Sequence, residues 1–198
     1  MADFAAIAAA LKSIERLLNA AFLDEQPVPG KKTRAVLVRT NDFTDALVPT
    51  NIGSPALSIF LYRVDFNKTM RAAWSAVGFQ DGRGHLALDL HLILTAWGEN
   101  AEFEYRIVGK AMQAIEATPI LAGPMLDVST PWLPNESIQV VLEEVSTEAI
   151  MRTFDSLPTD YRLSIPYIAR IIRVDTRVPY ETPPVTTLVT GKIPEPVL

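Results

Sequence analysis

Cysteine is missing from this 198-residue chain, which removes disulfides, thiolate nucleophiles and cysteine-held zinc or iron-sulfur centres from consideration. A reducing cytosol is compatible with that inventory. No uninterrupted apolar run reaches the roughly 18 residues that read as a bilayer span, so no membrane partner is expected. Basic residues are in the minority, 18 against 23 acidic, and a net charge of -5 offers no electrostatic footprint for a phosphate backbone. Nucleic acid is not an expected partner either. Histidine is limited to His85 and His91.

Catalytic signatures are equally scarce. Serine nucleophile elbows, zincin helices, Walker loops and kinase blocks are all missing. Gly30-Lys31-Lys32-Thr33 lacks the upstream glycine of a phosphate loop, and Gly82-Arg83-Gly84 reads as a turn. Lys31, Lys32 and Arg34 form a basic cluster that reads as an ordinary solvated loop. The inventory points away from an enzyme and calls for no cofactor and no metal.

What the chain has is apolar substance: 48% of its residues are hydrophobic, enough at this length for one core of ordinary size and hence one domain. The apolar stretch Phe4 to Leu11 has no basic residue before it and runs into Lys12, Glu15 and Arg16, so it reads as an amphipathic helix and not as a signal peptide. Ile7, Leu11, Ile14, Leu18 and Phe22 fall on one stripe of that helix, which Pro27, Pro29 and Gly30 stop. Ala35 to Val38 is a short β-branched run, and residues 41 to 55 read as a long connection. Ala56 to Val64 is a strand with apolar residues on both faces, expected inside a sheet.

The clearest pattern is Leu86 to Thr95, where leucines at 86, 88, 90, 92 and 94 alternate with Ala87, Asp89, His91, Ile93 and Thr95. Period two predicts a strand. Phe103, Ile107, Ala111 and Ile115 return to helical spacing over Glu102 to Glu116, with Pro119 just beyond. Between Pro119 and Pro134 the prolines and Gly123 predict an irregular surface connection carrying Met125, Leu126 and Trp132. Ile138 to Val145 is a further strand. Ser146 or Thr147 can cap a short helix through Phe154, and Tyr167 to Val174 resembles a central strand. The expected fold is α+β, a single domain over 1–175 whose mixed or antiparallel central sheet is flanked by helices.

Residues 176–198 change character. Prolines at 179, 183, 184, 194 and 196 forbid a helix or an unbroken strand. Val185, Thr186, Thr187, Leu188 and Val189 form a β-prone run bracketed by prolines, the composition of an extended arm that adds to another subunit's sheet edge. A disordered end fits the composition equally well.

Two candidate sites remain. Asp89 and His91 share a strand face with His85, so a metal or an acid/base pair is conceivable; the simpler expectation pairs Asp89 with Arg63, Arg170 or Arg173 on a neighbouring strand. Trp74, Trp97 and Trp132 fall near element ends, and Trp132, in the proline-rich loop, is the best candidate for an interface anchor.

Four blocks taken in order resemble a known family: Ser54 to Asp65, Leu86 to Thr95, Tyr161 to Asp175, and Ile107 to Met112 followed by Thr118 to Leu121. They look like the Pvc16 N-terminal domain family, formerly a domain of unknown function, over roughly residues 5 to 175. The sequence departs from the family pattern at Phe154, where tryptophan is usual, and at Leu163, where proline is common. The resemblance implies a tail terminator, or cap protein, of a phage-tail-like contractile injection system. Six copies would form a ring at the baseplate-distal end, stopping the inner tube and locking the last sheath layer. The implied partners are a homo-hexamer, the inner tube protein and the sheath protein. The implied location is the cytoplasm during assembly and then the particle. Another structural adaptor of the same machine, or a small module around Asp89 and His91, are the alternatives.

Overall fold

A computed structural model describes residues 2–70 and 84–176. Trp74 and the expected arm, with Val185 to Val189, lie outside the described residues. Six strands form one mixed sheet in the order β1-β2-β3-β6-β5-β4. They are β1 (Arg34–Val38), β2 (Ala56–Phe66), β3 (His85–Trp97), β4 (Ile120–Ala122), β5 (Ser137–Leu142) and β6 (Ser164–Asp175). β1 runs parallel to β2, and the remaining neighbours are antiparallel. Among the described residues three complete helices accompany them, α1 (Ala6–Asp24), α2 (Ala101–Ala117) and α3 (Thr147–Asp155), and residues 68–70 are helical as well.

The leucine alternation sets the layers. Leu88, Leu90, Leu92 and Leu94 of β3 are buried, and so are Ile14, Leu18 and Phe22 of α1 and Ile107, Ala111 and Ile115 of α2. All belong to one core between the helices and a single sheet face. At about 1.5–3 kcal/mol for each large side chain removed from water, this layer supplies most of the drive to fold. α2 starts where the Asn100 carboxamide accepts the Phe103 N–H at 2.9 Å, an N-cap that satisfies one otherwise orphaned donor. Gly98 is required just before it, because a Cβ there would come within 2.9 Å of Glu104 Cγ and 3.0 Å of its backbone nitrogen.

The connection expected over 41–55 is ordered. It holds a 3₁₀ turn, Thr40–Phe43, and a π turn, Val48–Ile52, and it folds onto the opposite sheet face. There Phe43, Ile52, Ala56, Phe60 and Trp97 make a second, smaller core, with the Phe43 and Phe60 rings edge-on at 5.3 Å. Asp42 ties the two turns together: its carboxylate accepts the Arg39 N–H at 2.9 Å and the Asn51 amide at 2.7 Å. The first of these bonds holds its carboxyl below the usual aspartate range. The irregular connection expected from Pro119 to Pro134 also contains a missed element, the edge strand β4, paired with β5. Three residues flanked by prolines give too little periodicity to read.

α1 has a second task. Successive outward-facing backbone groups at the free edge of β1 are met by polar side chains from α1 and its exit. The Thr33 N–H donates to Gln26 Oε1 at 2.8 Å. Asn19 both accepts the Ala35 N–H at 2.9 Å and donates to the Ala35 carbonyl at 3.0 Å. The Leu37 N–H donates to Glu15 Oε1 at 3.4 Å. Side chains thus stand in for a seventh strand.

Two tests follow from these contacts. Asn19→Ala leaves both backbone groups of Ala35 without their partner, and urea denaturation is expected to show a loss of about 1–3 kcal/mol. Asp42→Asn removes a carboxylate whose folded pKa is depressed, so its contribution is complete above the ordinary aspartate value of about 3.9 and fades as pH falls through the lower folded value. The stability gap between wild type and Asp42→Asn is expected at pH 7 and narrows below about pH 4.

Candidate functional site

The sheet face away from the main core carries a cross-strand polar cluster centred on His91. His91 is 5% exposed, and its Nδ1 lies 2.6 Å from Glu143 Oε1, just past β5. Its Nε2 lies 3.3 Å from Asp65 Oδ2 on β2. Arg63, the cross-strand partner of His91, reaches over the ring with Nη2 3.1 Å from Nδ1 and 3.2 Å from Nε2. The same guanidinium contacts Asp65 at 3.0 Å and Glu143 at 3.5 Å. Tyr62 completes the group by donating its hydroxyl to Glu143 Oε2 at 3.2 Å. Burial first, and then the Glu143 carboxylate, push the Tyr62 phenol up to about 12.

One register feature assembles this cluster. Between Leu61 and Arg63 β2 carries an extra residue relative to β3, a bulge that places Tyr62 and Arg63 together on the polar face. A second irregularity follows on the other side of β3, between Leu88 and Leu90, where β6 holds the extra residue. Neither is visible in the pattern of apolar residues.

The expectation for Asp89 needs correction. It lies on the same face as His91, opposite Asp65, yet both its oxygens accept from Asn67 Nδ2 at 3.1 Å. The arginines are engaged elsewhere. Arg63 serves the His91 cluster, Arg170 Nε donates to Gln139 at 3.4 Å, and Arg173 Nε donates to Asp175 at 2.6 Å. His85 has Nδ1 2.6 Å from Asp175 Oδ1 and does not join His91.

Among the described residues, no group of three or more histidine and carboxylate side chains is disposed to hold a metal. Around His91 the Arg63 guanidinium occupies the space a cation would need. A groove of about 470 Å³ lies over β5 and β6, bordered by Ile120, Ser137, Gln139 and Arg170. The geometry reads as a structural network, with the charges of two carboxylates set against one guanidinium.

Trp132 is half-buried against the main core, and its indole N–H donates to the Asp127 carbonyl at 2.7 Å; the rest of its surface stays accessible. Trp97 is a core plug, 4% exposed, donating to Ser58 Oγ at 2.9 Å. Lys31 is paired with Glu99, and Arg34 donates to the Ile52 carbonyl at 3.1 Å. Phe154, which departs from the family pattern, is 3% exposed and packs edge-on against Tyr161 at 5.3 Å. What sequence reading missed is Glu143, Asp65 and Tyr62, whose meeting depends on strand order and on the bulge.

His91→Ala is expected to cost about 1–3 kcal/mol of stability, because Glu143 loses its shortest partner inside the sheet. Denaturation of the variant checks this. Elemental analysis of the purified wild type is expected to find no stoichiometric metal.

Comparison of the sequence with curated proteins gives no match. The fold is similar to a cryo-EM structure of the PVC sheath/tube terminator, in the extended state, of an extracellular contractile injection system. The TM-score is 0.53 at 19% identity, covering 94% of this chain and 64% of that one. It is also similar to the tube-terminating cap of the anti-feeding prophage, with a TM-score of 0.55 at 17% identity, covering 92% of this chain and 60% of that one. This chain therefore spans less than two thirds of either, and at such identities the likeness is one of fold. The family match is made on sequence and runs over residues 9–187, from inside α1 past the end of β6: the chain belongs to the Pvc16 N-terminal domain family.

Proposed function

We propose that this chain is a terminator, or cap, of a phage-tail-like contractile injection system. The observation that carries the reading is family membership over residues 9–187, joined to a fold shared with two proteins described as terminators. The proposed assembly is a homo-hexameric ring at the baseplate-distal end, contacting the inner tube protein and the sheath protein. The proposed setting is the cytoplasm during synthesis and assembly and the phage-tail-like particle thereafter.

The physical requirement for capping is asymmetry. A stacked-ring polymer stops growing when a subunit matches the exposed ring on one side and offers no matching face on the other. The two sides of this sheet differ in a way that suits the task. Helices α1 and α2 cover one side with an apolar core, while the other carries the small second core and the polar network around His91. Trp132 is proposed as an anchor at the rim, and the arm beyond Asp175 as the strand that ties a neighbour.

Particles assembled without the chain are expected to lose their narrow length distribution, as seen by negative-stain microscopy, with tubes extending past the sheath. Uniform, properly joined particles from such a deletion would remove the proposal. A chain ending at Asp175 is expected to give particles that are capped poorly or not at all.

A further inference from the structure

The free strand edges of this sheet are finished in different ways. That of β1 is closed, because Gln26, Asn19 and Glu15 occupy its outward backbone groups. β4 offers only Ile120–Ala122, hemmed by Pro119 and Pro124. Two overhangs remain among the described residues: β6 has β3 alone beside it from Ile171 to Asp175, where the Asp175 N–H is met by the Ala2 carbonyl, and β2 outruns β1. β1 pairs with β2 only from Ala56 to Phe60, whereas β2 continues to Phe66. From Leu61 onward β2 has β3 on one side and, among the described residues, no strand on the other.

In an antiparallel pair the backbone groups of alternate residues point away from the partner, so this overhang is a template for one more strand. Its side chains are disposed to receive it. Val64 is 42% exposed on the helix side of the sheet, with Leu86 46% exposed close by on β3. Arg63 and Asp65, charges that could guard the edge, are instead drawn across the other face to His91.

We propose that Leu61–Phe66 of one copy receives Val185 to Val189 of a second copy as an added strand, joining copies head to tail. The inference rests on the terminator reading for its setting and deepens it by naming the accepting edge. The place where the donor leaves the domain is fixed. Asp175 pairs with His85 in the sheet, its N–H donates to the Ala2 carbonyl at 3.0 Å, and the Thr176 N–H donates to the Gly84 carbonyl at 3.0 Å. That exit lies at the same end of the sheet as Phe66, two strands away, roughly 10 Å at about 4.8 Å per strand. Residues 176–184 include Pro179, Pro183 and Pro184. A proline-rich spacer of about nine residues reaches roughly 28 Å at about 3.1 Å per residue. Such a spacer is long enough to carry the segment past its own domain to the overhang of a neighbour. Donor and acceptor are different patches, so the contact is heterologous and generates a ring when the rotation closes.

The lack of cysteine makes the test clean. Val64→Cys is combined with a single cysteine at each of positions 185 to 189 in turn, in the full chain. Each variant is oxidised both as purified protein and within particles, then run on non-reducing gels. Directly opposed side chains on one sheet face lie about 4.5–5.5 Å apart, so covalent ladders are expected at alternate positions. Leu37→Cys on the closed edge, in the same combinations, is expected to stay monomeric. A fast-running, internally linked monomer would show that the segment folds onto its own overhang and would overturn the proposal. Unlinked chains at every position in both preparations would overturn it as well. Ladders from a protein found away from particle ends would defeat the terminator reading while keeping this one; capped, uniform particles with no linkage would do the reverse.

Discussion

Leu90, Leu92 and Leu94 on one face of β3 are buried against two helices, and a slip of one residue would exchange them for His91, Ile93 and Thr95. At about 1.5–3 kcal/mol per large apolar side chain, losing three leucines from the core costs roughly 5–9 kcal/mol, the same order as the whole stability of a domain. β3 is therefore pinned, and β2 and β6, which flank it, inherit its register. Every polar contact on the opposite face depends on this one alternation.

The polar face shows how a register held by apolar packing positions charged groups. His91 is brought to Glu143 and Asp65 by three different strands or their ends, and the bulge at Tyr62 delivers Arg63 to the same point. A network of this kind, with His91 and Glu143 largely buried but Arg63 and Asp65 half-exposed, contributes modestly to net stability, since solvent screens the outer charges and desolvation offsets much of the attraction of the inner ones. Its effect is on specificity: the strands fit together with their partners satisfied in one alignment and unsatisfied in others. Asn19 acts similarly on β1, where a carboxamide presents the donor and acceptor that an added strand would have presented. The helix that buries the core thus also decides which edge of the sheet stays available.

The period-two leucines and the period-3.6 stripe of α1 were legible because each rests on burial of a single face, a property carried by consecutive residues. The α+β class, both long helices and the placing of β2 and β6 inside the sheet followed from them. The ordered turns between Thr40 and Ile52 were not legible, because Phe43 and Ile52 pack on Phe60 and Trp97, far along the chain. β4 was missed for its length. Pairing Asp89 with an arginine was reasonable from composition and failed in detail, because Asn67 lies nearer and Arg63 is held by His91. Membership of the family was legible from four blocks, each unremarkable alone, whose order follows the strands of the sheet.

The end of β6 is where force from the rest of the chain would enter the sheet. Asp175 is held by His85 and Arg173, and the strand it closes runs through the sheet interior between β3 and β5. Beyond Arg170 its pairing is with β3 alone, so a pull applied to residue 176 along that direction first loads a single ladder of hydrogen bonds, in shear, before the one shared with β5 is reached. Traction transmitted through the segment beyond Thr176 would thus be borne by β3 before it spread to β5.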